Sequence, residues 1–309
     1  MTQVLENDSS LTWSYMNVTS QTPLVPKDRQ RLWFAALIAL PGLYLSVFLI
    51  LPFFGLVRTS LYPGERSLGA EGFSLMQFRL LLSDSTFFSV LIETLGLGLS
   101  VSAICAVLGF PVGYSLARLS TKKRRWRLIA VVLPMTLSLV VVVFGWLVVL
   151  GRSGMINDIL LALGIVESPV RMVFNHGSVI FVLVQQFLPF MILSVMGVVS
   201  QIDTVLEEAS ANLGANRLTT FRRVIIPIAA PGIASGMLLV FILTISAFIT
   251  PRLVGGNRVQ MIGAMIYEQI MVLLNWPLGA AMSIILLVMT ILLLSSIRGA
   301  NVMMRKVGR

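Results

Sequence analysis

Polar and apolar residues are distributed along this chain in blocks rather than in alternation. Six stretches run without Asp, Glu, Lys or Arg for at least about 20 residues, enough for a helix to cross a hydrocarbon core: 32–57, 94–117, 128–151, 172–202, 224–251 and 269–297. The apolar residues within them are continuous, which argues for helices and against barrel strands, whose apolar positions alternate. The pattern predicts an all-α protein with six transmembrane helices. Prolines recur inside the runs, at Pro41, Pro52, Pro111, Pro134, Pro189 and Pro231. They are compatible with membrane helices because neighbouring helices and Ser/Thr side chains can satisfy the freed carbonyls. Residues 1–31 are polar, rich in Ser, Thr and Asn, and without helical period; they read as a disordered tail, with 32–309 forming the transmembrane domain.

Composition agrees with this. Hydrophobic residues make up 57% of the 309, charged residues only 12%, and mean hydropathy is +0.92. The net charge of +10 would suit nucleic acid, but its distribution points elsewhere. With the N-terminus in the cytoplasm, sixteen Lys and Arg fall in inner segments and seven in outer ones. The positive-inside rule then places both termini in the cytoplasm, and nucleic acid is not expected as a partner. The excess includes the run Thr121–Arg127, "TKKRRWR", which reads as a topology anchor near anionic lipid.

Groups that carry chemistry are few. One cysteine, Cys105, excludes an intramolecular disulfide, and the one histidine, His176, sits at the expected start of the fourth span without a companion for a metal site. No G-x-x-x-x-G-K-[ST] loop is present to cradle nucleotide phosphates. No ionisable residue lies in mid-span, as a proton-coupled carrier would require. The chain is therefore read as a non-enzyme that binds no cofactor and draws its energy from a partner. Glu93, in "FFSVLIETLGLG", is the one carboxylate that stands out, near the outer end of the second span. It either snorkels to water or faces a solute path, where it would attract a cation. The pairs Gly109/Gly113 and Gly232/Gly236 have close-approach spacing, which is common by chance in glycine-rich spans.

The inner segment between spans four and five, "EEASANLGANRLTTFRRVIIP", is too polar for the membrane yet patterned as a helix. Thr204 and Glu207 have capping-box spacing, and Asp203, Glu207 and Glu208 suit a helix N-terminus. Leu206, Ala209, Ser210 and Leu213 fall on one narrow apolar face, and Gly214 stands where a left-handed residue ends a helix. Leu218, Phe221 and Ile225 then open a second helical pattern that leads into span five. A short helix over about 203–214 is thus predicted outside the bilayer. Its acidic residues disfavour anionic headgroups as its receptor and favour a protein groove.

Here the sequence resembles a known family. Glu208-Ala209-Ser210, three residues, Gly214, nine residues and Val224-Ile225-Ile226-Pro227 match the EAA loop of the membrane subunits of binding-protein-dependent ABC importers. That loop reads E-A-A, three residues, G, nine residues, I-x-L-P. Ser210, Val224 and Ile226 depart from it mildly. "GRSGMINDILLALGI", "QQFLPFMILSVMGVVSQID", "PRLVGG" and "NWPLGAAMS" are similar to the spermidine/putrescine-type branch.

The resemblance covers about residues 32–300 and implies a type I ABC importer transmembrane domain in a bacterial inner membrane. Its implied partners are a second membrane subunit, identical or homologous, cytoplasmic ATP-binding subunits that use ATP and Mg, and a periplasmic or surface solute-binding protein. It makes Glu208, Ala209 and Gly214 ATPase-docking residues; the face analysis adds Leu206 and Leu213. Gly214 is then the joint between coupling helix and span. A polyamine is the implied solute, with opines, phosphonates, iron or thiamine as alternatives. A stand-alone secondary transporter is the contrasting reading.

Overall fold

The computed structural model describes residues 27–64 and 72–307, and the chain divides into two units, Met1–Leu56 and Val57–Arg309. The first contains most of helix α1 (Lys27–Ser60), whose apolar part, Pro41–Ser60, is long enough to cross a membrane. The tail expected through residue 31 therefore gives way to helix at Lys27, and residues 1–26 lie outside the described residues.

The second unit is built on three long helices: α3 (Ser85–Ala117), α7 (His176–Val199) and α10 (Ile226–Ile245). They pack against one another more extensively than any other elements. Val101 and Cys105 from α3, Val182, Met191 and Val195 from α7, and Val240 from α10 are fully buried between them. Close approach comes from the two glycine pairs, which the sequence alone left unweighted. A Cβ on Gly109 would lie 2.9 Å from Met191 Cγ, and one on Gly113 2.8 Å from the Ile192 carbonyl oxygen. One on Gly232 would lie 2.8 Å from Val198 Cβ, and one on Gly236 would collide with Met191 Sδ. Glycine surfaces on α3 and α10 thus clasp α7 from both sides, as expected where helix association in lipid depends on van der Waals fit. A second buried cluster joins Phe87 and Leu91 of α3 to Ile262, Ala281 and Met282. It is fastened by Thr94, whose hydroxyl accepts from the Ile262 N–H at 3.0 Å and donates to the Val90 carbonyl at 2.7 Å.

The expected third span is not one helix. Helix α4 (Thr121–Val132) tightens into a 3₁₀ turn at Leu133–Thr136, Leu137 and Ser138 are extended, and α5 (Leu139–Val149) leaves at 93° to the preceding segment. Pro134 accounts for the change from α to 3₁₀ winding just ahead of the break: it lacks an N–H and its ring crowds the preceding turn. The Thr136 hydroxyl takes up the Leu133 carbonyl at 2.7 Å. Pro111, Pro189 and Pro231 lie inside helices that continue past them. Among the described residues, five helices are long and apolar enough to span, or six if this bent pair counts as one. The last, α12 (Trp276–Val307), starts later than the apolar run. Before it come α11 (Ile262–Tyr267), a π-helical turn at Glu268–Val272 and a break where Leu274 takes φ 55° and Asn275 caps the new helix.

Two short helices flank the outer ends, α2 (Met76–Ser83) and α6 (Met155–Ala162). The α6 segment is held by Asn157, which is fully buried. Its amide donates to the Gly151 and Val170 carbonyls at 2.9 and 3.0 Å and accepts from the Val170 N–H at 2.8 Å. Asn157→Leu would remove three hydrogen bonds to the Gly151 and Val170 backbone, costing about 1.5–4.5 kcal/mol at about 0.5–1.5 kcal/mol per bond. A clear drop in the unfolding temperature of the detergent-solubilised protein is expected; an unchanged temperature would show that Asn157 is not the clasp.

A candidate coupling surface at the cytoplasmic end

Between α7 and α10 the chain forms a short helix where the sequence placed one, α8 (Val205–Asn212). Its N-terminus is built differently from the expected capping box. Thr204 has helical dihedrals and makes no side-chain cap, and it is Asp203 Oδ1 that accepts the Val205 N–H, at 3.0 Å. Glu207 does not reach back to the helix start, because stronger partners compete for it. Its Oε1 accepts from Arg118 Nε at 2.8 Å and lies 2.6 Å from Nη2, while its Oε2 accepts from the Tyr114 hydroxyl at 2.7 Å. Arg118 also donates from Nη1 to the Ile202 carbonyl, at 2.8 Å. The guanidinium thus grips both the turn that leads out of α7 and the first turn of α8. Charge-assisted contacts of this kind are about twice as strong as neutral hydrogen bonds.

The other end of α8 closes as the sequence predicted. Gly214 is left-handed at φ 82°, its N–H bonds the Ala211 carbonyl at 2.9 Å, and the Ala215 N–H bonds the Ser210 carbonyl at 3.1 Å. These two bonds make a Schellman motif. No atom lies within 4 Å of where a Cβ would be, so the glycine answers a dihedral requirement and not a spatial one. Asn216 then caps α9 (Arg217–Thr220), its Oδ1 accepting the Thr219 N–H at 2.8 Å. A π-helical turn, Phe221–Ile225, joins α9 to α10, with the Ile226 N–H bonded to the Phe221 carbonyl. Pro227, at the start of α10, has no N–H to offer Arg223, which explains why the ladder widens there.

The candidate residues divide into two groups. Leu206, Glu208, Ala209, Leu213 and Gly214 are all exposed, Leu213 to 89%. Ser210, assigned to the same face from sequence, instead turns inward, its hydroxyl 2.9 Å from that of Thr220. That bond gives a reason for serine where the EAA pattern has alanine. Arg118 and Tyr114 were missed: Arg118 counted only as topology charge, and no local periodicity announces a partner 89 residues away.

At the outer end, Glu93 Oε1 lies 2.6 Å from His176 Nε2. Two residues considered separately in the sequence are thus one tie between α3 and the first residue of α7, ionic whenever the imidazole is protonated. The Glu93 carboxylate is engaged by this imidazole and is partly exposed. Polar groups within the helices are also paired: Trp146 with Gln185 at 3.2 Å, and Thr250 with Gln186 at 3.0 Å. Among the described residues no three His, Cys, Asp or Glu side chains converge on a metal-sized site.

A bundle with a bare helix at its inner end can be compared with known proteins. Residues 109–306 match the family described as binding-protein-dependent transport system inner membrane component. The chain belongs to this family. It is 35% identical over 266 residues to the spermidine/putrescine transport system permease protein PotB of Escherichia coli (strain K12), covering 85% of this chain and 96% of that one. It is 32% identical to the protein of the same name in Haemophilus influenzae, covering 84% and 93%. Among solved structures, a bacterial ABC transporter involved in import of the acidic polysaccharide alginate superposes with a TM-score of 0.69 at 20% identity, covering 92% of this chain and 99% of that chain. At that identity the likeness concerns the fold alone, and it is the fold of ABC importer transmembrane domains. The permease is accordingly a multi-pass inner-membrane transport component, not an enzyme.

Proposed function

We propose that this permease forms the path for a polyamine-like solute and receives its driving motion through α8. The observation that carries the coupling role is the bare outer face of that helix: Leu206, Ala209 and Leu213 project beside Glu208 and are left exposed by the described residues. Leaving a leucine 89% exposed in water forgoes about 1.5–3 kcal/mol of burial, which a protein groove would recover. That groove belongs to a cytoplasmic ATP-binding subunit, which binds and hydrolyses ATP with Mg while the permease itself holds no cofactor. A second membrane subunit completes the path, and an external solute-binding protein delivers the cargo. The names of the relatives support spermidine or putrescine as the solute class.

The experiment is reconstitution with the ATP-binding subunits, second membrane subunit and binding protein encoded beside this chain, followed by uptake of labelled spermidine into proteoliposomes. Uptake should require ATP and the binding protein. Accumulation without ATP would sink the importer reading, and ATP-driven uptake of another solute with spermidine excluded would sink the polyamine assignment. Glu208→Arg tests the docking face directly. Reversing a charge in a docked interface should weaken recovery of the ATP-binding subunit about tenfold or more; full recovery would sink the reading of this face as the docking surface.

A further inference from the structure

The same geometry shows how movement of α8 can reach the bundle without being lost. Helix α8 leaves α7 through the turn at 200–204 and reaches α10 through α9, so the chain itself connects it to two of the three central helices. To α3 it has no direct connection along the chain. The turn at 200–204 is also the place where a push on α8 would be absorbed, since a short connection can bend while α7 stays still.

Arg118 spans this weak point. Its guanidinium bonds the Ile202 carbonyl within the turn and Glu207 beyond it, while Arg118 itself is the first residue after α3. Tyr114, one turn back on α3, holds the second carboxylate oxygen. Phe221, below α10, packs edge-on against the Tyr114 ring at 5.4 Å between centroids and against Phe110 at 5.1 Å. The ion pair is largely shielded, with side-chain exposures of 18% and 24%, so salt screens it less than a surface pair.

We propose that Glu207, Arg118 and Tyr114 form a rigid brace that carries displacement of the coupling helix into α3 and prevents the 200–204 turn from absorbing it. These are positioning residues, distinct from the docking face of Leu206, Glu208, Ala209 and Leu213. The proposal rests on the reading that α8 docks on an ATP-binding subunit.

The test is the ratio of solute imported to ATP hydrolysed in the reconstituted importer. Glu207→Ala and Arg118→Ala should each retain the ATP-binding subunit and hydrolyse ATP within about twofold of wild type, but lower the ratio about tenfold, the scale of one lost charge-assisted contact. Glu207→Gln, whose Oε1 can still accept from Arg118 while its NH2 donates to the Tyr114 oxygen in a reversed bond, should restore part of it. A wild-type ratio in Glu207→Ala overturns the proposal. So does loss of the ATP-binding subunit from that variant, because Glu207 would then belong to the docking contact. If the alanine variants do not accumulate, Tyr114→Phe decides: a ratio lowered about twofold to threefold supports the brace, and an unchanged one overturns it. Failure of the docking reading is separately visible as normal subunit recovery with Glu208→Arg.

Discussion

Gly113→Leu leaves no folded permease: the variant is expected to vanish from the monodisperse gel-filtration peak of detergent extracts. At this position even a Cβ would stand 2.8 Å from the Ile192 carbonyl oxygen and 2.9 Å from Val195 Cβ. A backbone oxygen within α7 cannot step aside as a side-chain tip can, so α3 would have to separate from α7. Separation would forfeit the fit around Val101, Cys105, Met191 and Val195. Overpacking of a well-fitted core costs about 1–3 kcal/mol when neighbours can adjust, and more when they cannot. Gly96→Leu on the same helix is the control, because nothing lies within 4 Å of its Cβ position; it should accumulate normally. Equal recovery of both variants would show that the α3–α7 contact is not tight.

Gly214→Val is expected to abolish ATP-driven uptake while the protein still inserts and purifies. At φ 82° a β-branched residue is strained, and leaving the left-handed region costs the two bonds of the Schellman turn. The strain alone is about 1–2 kcal/mol, small against the stability of the bundle but large for one corner. The chain would relieve it by re-forming the end of α8 elsewhere, which rotates the docking face relative to α9. Gly214→Asn, which tolerates left-handed dihedrals, should keep most transport. Uptake in proteoliposomes reads both, and normal uptake by the valine variant would show that this corner does not set the orientation of α8. The conformation also refines the picture of Gly214 as a joint: two hydrogen bonds and the Asn216 cap immediately after it make a fixed bend.

Helix α8 shows why parts of the site could be read without coordinates. Its position, its left-handed end and the exposure of Leu206, Ala209 and Leu213 all follow from residues within one another's local reach. Glu207 marks the limit of such reading. The spacing to Thr204 pointed to a capping box, yet the carboxylate goes to Arg118, because two charge-assisted contacts outweigh one backbone N–H at an exposed helix start. The prolines divide in the same way: composition treats Pro111 and Pro134 alike, but Pro111 lies inside a continuous helix while Pro134 lies in the 3₁₀ turn that precedes a break at Leu137 and Ser138.

By itself the sequence determined that the chain is helical, membrane-spanning and basic on one side, and that it carries an EAA loop, because length, charge and spacing are properties of contiguous residues. Only the tertiary structure decided that Gly109, Gly113, Gly232 and Gly236 clasp one helix, that Glu93 meets His176, and that Arg118 bonds Glu207 of α8 and the Ile202 carbonyl. Those pairings join residues from 34 to 89 positions apart, and in lipid they are selected by shape and by the partnering of polar groups, neither of which leaves a period in the chain.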